Sequence, residues 1–130
     1  MTIRPATAAD ILRIVDQTEA LREKINGPIP VDRPYTAAFL SRLIANPAGL
    51  VLVSDGGFIA ASLQPTPINP ALVAGEHGWY ATDGAGAELR TAYEKWADDR
   101  GAIFKKLSTG MNGPDLERDG YTPAEVGWFK

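Results

Sequence analysis

Apolar residues recur at helical spacing in two well-marked stretches of the chain. In the first, Ile11, Ile14, Val15, Thr18 and Leu21 fall three or four positions apart, and Thr7-Ala8-Ala9-Asp10 has the form of a capping box with Thr7 as N-cap. This predicts a helix from about Ala8 to Lys24, closed by Gly27 and Pro28, after a short extended segment at Thr2-Ile3-Arg4 that Pro5 stops. In the second, Leu89, Ala92, Tyr93, Trp96 and Ala97 form one face, while Glu88, Arg90, Thr91, Glu94, Lys95, Asp98 and Asp99 form the other. Gly84-Ala85-Gly86 opens that helix and Gly101 stops it. A further helix, capped by Asp32 or Thr36, turns Phe39, Leu40, Leu43 and Ile44 inward and ends at Asn46-Pro47.

Between the helices the pattern changes to short apolar runs. Leu50 to Ser54 and Phe58 to Gln64 flank Asp55-Gly56-Gly57, a hairpin signal, and Pro65 to Pro70 reads as a stiff connector. Leu72 to Tyr80 and Ile103 to Leu107 are strand candidates, and Pro114 to Arg118 reads as one helical turn after the break at Gly113. Val126 and Trp128 alternate with Gly127 and Phe129 in a closing strand. The predicted order is β-α-α-β-β-β-α-β-α-β: an α/β (α+β) fold with a mixed sheet of about six strands, flanked by about four helices.

Composition narrows the function classes. With 130 residues, 45% hydrophobic and 22% charged, the chain suits one folded domain over residues 1–130. A net charge of -3 and scattered basic residues argue against a nucleic-acid partner. The absence of cysteine excludes disulfides, thiolate catalysis and cysteine-based metal sites, and no metal is expected. The first twenty residues carry Arg4, Asp10, Arg13, Asp16 and Glu19, and the longest apolar stretches, Gly49 to Val53 and Phe58 to Ala61, are too short for a bilayer. A soluble cytoplasmic protein without a membrane partner is the expectation.

Three features carry candidate chemistry. Thr82-Asp83-Gly84-Ala85-Gly86 joins a strand to a helix start, where converging amides and the helix dipole suit a phosphate. The spacing is neither the dinucleotide fingerprint nor a nucleoside triphosphate loop, so a plain tight turn stays open as the other reading. Arg90, one turn into that helix, either reaches the same phosphate or is solvated surface. Glu76 lies inside a predicted strand, and alternation groups it with Leu72, Ala74, Gly78 and Tyr80. A partly buried carboxylate there suits a general base for an amine; an exposed strand face or an ion pair is the alternative. His77 is the sole histidine, read as structural or surface.

Taken in order, these pieces resemble the GCN5-related N-acetyltransferases, particularly the compact members common in phage and bacterial genomes. Ile3-Arg4-Pro5-Ala6-Thr7-Ala8-Ala9-Asp10-Ile11 resembles the family's first strand and helix cap, and Glu76-His77-Gly78-Trp79-Tyr80 its fourth strand. Gly84 to Leu89 resembles the coenzyme turn, Tyr93 to Ala102 the helix and exit that follow, and Leu116 to Glu125 the last helix with its Gly-aromatic turn. The resemblance implies a mostly antiparallel sheet and acetyl-CoA as co-substrate. It places the diphosphate at Thr82 to Ala87, with Tyr80, Ala81, Thr82, Asp83, Gly84, Ala85, Gly86, Ala87, Arg90 and Asn112 as the coenzyme-binding set and Glu76 as the base. The acceptor is then an amine of a small molecule or peptide entering past Gly27 to Pro34, with Pro65 to Pro70 also shaping its pocket, and a homodimer is expected.

The chain departs from the family pattern at Ala81, where the family has Arg or Gln, in the short stretch from Tyr80 to Gly84, and at Leu116, where a tyrosine usually protonates the leaving thiolate. These departures favour the alternative: a binding or structural module on the same fold that has lost acetyl-CoA turnover.

Overall fold

A computed structural model describes residues 2–130. Strands β1 (Arg4–Pro5), β2 (Gly49–Val53), β3 (Gly57–Thr66), β4 (Asn69–Ala81) and β5 (Lys105–Lys106) form one sheet in sequence order. The first four are antiparallel to their neighbours, and β5 joins β4 in parallel. Helices α1 (Ile11–Lys24) and α2 (Arg33–Ala45) cover one face; α3 (Gly86–Asp99) crosses the other and links β4 to β5.

Each face has its own core. Ile14, Val15, Leu40 and Leu43 pack on Val51, Val53, Phe58 and Ala60. Leu89, Tyr93 and Ala97 pack on Leu52, Ile59, Ala61, Leu63 and Ala74. The alternation of β2 and β3 thus feeds two layers, as a sheet covered on both sides requires.

Local signals account for the helix starts. Asp10 closes a short 3-10 turn (Ala8–Asp10) ahead of α1 and accepts from the Thr7 amide at 2.8 Å. Its carboxylate also takes a bidentate pair from Arg4, at 2.8 Å on each oxygen, and these contacts hold its pKa far below the usual aspartate range. Asp32 caps α2 through the Tyr35 amide at 3.0 Å, with Pro34 in the first turn. Asp10→Ala is expected to cost about 1–2 kcal/mol, because it removes the acceptor of the part-buried Thr7 amide at the helix start and frees the exposed Arg4 fork to solvent. Since the folded pKa is depressed, this contribution is present above pH 4 and lost as pH falls through the aspartate range. Urea melts at pH 7 and pH 3 check both points: the gap between wild type and variant narrows at pH 3.

The structure corrects several sequence expectations. Among the described residues there are five strands where about six were expected, and three α-helices with two 3-10 turns where about four helices were expected. The first strand is Arg4–Pro5, and the one after α3 shrinks to Lys105–Lys106. Residues 65–70 are no separate connector: β3 runs to Thr66, which pairs with Asn69 across a tight hairpin. Pro65 sits in a register shift between Gln64 and Thr66, where a missing donor is tolerated.

The closing strand at Val126 to Phe129 does not form. Residues 120–130 carry no helix or strand, and Val126, Trp128 and Phe129 are 71%, 91% and 79% exposed. Alternation alone makes no strand; β5 is two residues long and offers it no matching edge.

Candidate functional site

The ladder between β4 and β5 consists of Ala74↔Lys105 and Gly75↔Lys106 and then stops. Beyond it the strands diverge. Leu107 packs into the α3-side core, and the Ser108 amide donates at 2.7 Å to the side chain of Glu76 instead of to a strand carbonyl. The half of β4 from Glu76 to Ala81 is therefore left with an unpaired edge.

A bulge accompanies the split. β3 pairs Ala60 with Gly78 and Ala61 with Glu76, so His77 is the extra residue. Before it, Ala74 lies on the α3 side; after it, Trp79 and Ala81 do, while Tyr80 joins the core under α1 and α2. The even alternation drawn from the sequence is thus corrected: Glu76, opposite Ala61, shares the α3 face, and Tyr80 the other. The bulge also redirects the backbone. The Ala74 amide donates to Phe104, and the Thr82 amide to Gly56 on the opposite side. By alternation from each, the amides of Glu76, Trp79 and Ala81 point along the unpaired edge. A side chain at 78 would press on the Phe58 ring, its Cβ 3.0 Å from Cε2, so glycine fits this close approach.

Between the diverging strands lies a cleft of about 590 Å³. Its walls are Glu76 to Ala81 of β4, the β4-to-α3 turn at Gly84, Gly86 and Ala87, the segment Ser108–Gly110 with Asn112–Pro114, and Leu21 and Lys24 of α1 with Ile25 just past its end. Gly84 takes φ +80°, which glycine adopts without strain. The amides of Gly86, Ala87 and Glu88, the first of α3, have no acceptor among the described residues. The Trp79 indole donates to the Gly86 carbonyl at 3.0 Å, fastening the turn to the strand.

Of the residues singled out in the sequence, Glu76, Tyr80, Ala81, Gly84, Gly86, Ala87 and Asn112 line this cleft. Four of that set do not. Thr82 turns away and donates to Gly56 through both amide and hydroxyl. Asp83 accepts from the Gly56 amide at 2.7 Å and from the Ala85 amide at 3.1 Å, so one amide of the turn is capped internally. Ala85 is buried under the helix. Arg90 pairs with Asp119 at 2.9 Å and Glu94 at 3.4 Å, which directs its guanidinium away from the turn. Of the segments expected to shape an acceptor pocket, neither residues 27–34 nor residues 65–70 line this cleft, whereas the last turn of α1 does. Lys24 and Ile25 went unnoticed as site residues, although they continue the α1 stripe three and four positions past Leu21.

The electrostatics follow from burial. Glu76 is pushed up to about 7 by desolvation, which the hydrogen bond from Ser108 only partly offsets. His77 is lowered by burial; its Nε2 lies 2.7 Å from Ser62 Oγ, and its ring meets Phe39 edge-on at 5.2 Å. Lys24 Nζ stands 6.0 Å above the Tyr80 ring.

A bulged β4 that parts from a parallel β5, with α3 starting at the mouth of the split, is the fold of the GCN5-related N-acetyltransferases. The likeness to solved structures agrees. A GCN5-related N-acetyltransferase from Ralstonia eutropha superposes with a TM-score of 0.73 at 19% identity, covering 99% of this chain and 97% of that one. A protein from Clostridium acetobutylicum, described as a predicted acetyltransferase and solved with acetyl-CoA, gives 0.78 at 13% identity, covering 99% and 94%. A transcriptional regulator from Bacillus halodurans gives 0.77 at 18%, covering 99% and 97%. No protein-family model matches the chain, and no curated protein matches it in sequence. At these identities the likeness establishes the fold. Among the described residues no helix is long and apolar enough to cross a membrane.

Proposed function

We propose that this chain transfers an acetyl group from acetyl-CoA to the amine of a small molecule or peptide. The observation carrying the reading is that the free amides of α3 and the raised Glu76 meet in one cleft beside an unpaired strand edge. The residues present fit the coenzyme. Gly86, Ala87 and Glu88 offer three unpartnered amides at a helix start, a standard receptor for a diphosphate. The edge amides of Trp79 and Ala81 suit the amide groups of an extended arm, as an added strand would.

When bound, acetyl-CoA supplies an activated thioester carbonyl as the electrophile. Glu76 takes a proton from the attacking amine as the nitrogen–carbon bond forms, and edge amides of β4 stabilise the charge developing on the carbonyl oxygen. The carbon–sulfur bond then breaks. Leu116 brings no acid to that point, so solvent returns a proton to the sulfur.

A non-catalytic module on this fold is the second reading, favoured by Asp83, whose carboxylate occupies the turn, and by the commitment of Arg90 to Asp119 and Glu94. Thermal unfolding with acetyl-CoA separates the two. Coenzyme at about a hundred times its Kd is expected to stabilise the fold by about 2.7 kcal/mol. A melting temperature unmoved up to millimolar acetyl-CoA favours the module.

A further inference from the structure

Lys24 is the one fixed charge among the described residues lining the cleft; Glu76 and His77, the other ionisable groups there besides Tyr80, are both shifted toward neutrality. Lys24 is exposed, but it stands at the wall of the cleft. Ile14, Leu21 and Lys24 lie on the inward stripe of α1, and where that stripe runs off the core onto the split between β4 and β5 the apolar series is broken by a cation. No carboxylate of the described residues lies within 4.0 Å of its Nζ. Its neighbour is the face of Tyr80, which holds the ammonium without neutralising it.

The faces of the sheet separate Lys24 from the diphosphate amides. α1 packs with α2 on one side, and α3 lies on the other, so the cleft is entered from α1 by one ligand and from the α3 turn by another. Building on the acetyl-transfer reading, we propose that Lys24 binds an anionic group of the acceptor, which makes the acceptor class an amino-carboxylate and not a polyamine or a basic peptide. A cationic acceptor meets like charge there, whereas a carboxylate gains a charge-assisted hydrogen bond and directs the amine deeper into the cleft.

Binding tests this apart from turnover. Titration calorimetry on the protein saturated with CoA compares N-acetylglycine with N-acetylglycinamide, which has a neutral amide in place of the carboxylate. The acid is expected to bind about tenfold or more tightly than the amide, Lys24→Gln to abolish that preference, and Lys24→Glu to reverse it, with the Kd for CoA unchanged in both variants. Equal affinity for the two ligands overturns the proposal, as does failure of both to bind; a loss of CoA affinity in Lys24→Glu overturns it by making Lys24 a coenzyme contact. Thiol release from acetyl-CoA with glycine, glycinamide and putrescine then reads the transferase. Release with all three at equal rates sinks the charge assignment and keeps the transferase; a carboxylate preference in binding with no release does the opposite.

Discussion

Glu76→Gln is expected to lower turnover about 10²- to 10⁴-fold while leaving the Kd for acetyl-CoA within a factor of two. The isosteric amide still accepts from the Ser108 amide, so the support beneath β5 survives and only the proton acceptor is lost. The pH profile makes the test specific. A base with its pKa at about 7 gives kcat/KM an acid limb, with activity falling as pH drops below 7, and the variant loses that limb. A second readout needs no acceptor. The folded-state pKa lies above the ordinary glutamate value of 4.5, so the folded form binds the extra proton between those two values. Stability from this group is full below pH 4.5 and declines as pH rises through 7. In Glu76→Gln that decline disappears. Retained turnover with an intact acid limb would remove Glu76 as the base and pass the role to His77, which lines the same cleft from the opposite face of β4.

What the sequence disclosed and what it hid divide along a physical line. α1, α2 and α3 were legible because periodicity and caps are local: the stripe from Ile11 to Leu21, the Asp32 cap and the Leu89-to-Ala97 face each lie within a few turns of chain. The hairpin at Asp55-Gly56-Gly57 was legible for the same reason. The bulge at His77 was not, because it exists only in the pairing of two strands; no residue in Glu76-His77-Gly78 announces that Ala60 and Ala61 will oppose three positions. That single offset reversed the predicted grouping of Glu76 with Tyr80. The glycine turn was found, yet the internal partners of Asp83 and Arg90 come from Gly56 and Asp119, distant along the chain, and local reading assigned both residues to the ligand. Lys24 illustrates the same limit in reverse. Its place on the apolar stripe was visible, but the gap beneath it arises only where β5 leaves the sheet.

That departure is held by Tyr93, whose replacement is expected to have the largest effect on the fold. The ring is fully buried, and its hydroxyl donates to the Lys106 carbonyl at 2.7 Å and accepts from the Lys106 amide at 3.2 Å. One side chain of α3 thus satisfies both backbone groups of the last residue of β5, which is how a strand of two residues ends without orphaned donors. Burial pushes the phenol up to about 12, so the hydroxyl stays protonated throughout the working range and both bonds persist. Tyr93→Phe keeps the packing and strands one amide and one carbonyl, at a cost of about 1–3 kcal/mol. Tyr93→Ala adds a cavity among Leu89, Ala74 and Ala61 and is expected to cost about 3–5 kcal/mol, a large share of the roughly 5–15 kcal/mol that holds an ordinary domain folded. Urea denaturation of both variants gives the two values. Hydrogen exchange locates the loss: in Tyr93→Phe the amides of β5 and Ser108 should exchange faster while those of β2 keep their protection. If β5 stayed as protected as in wild type, the Tyr93 hydroxyl would not be what fixes the point where the sheet divides, and the width of the cleft would have to come from the packing of Leu107 alone.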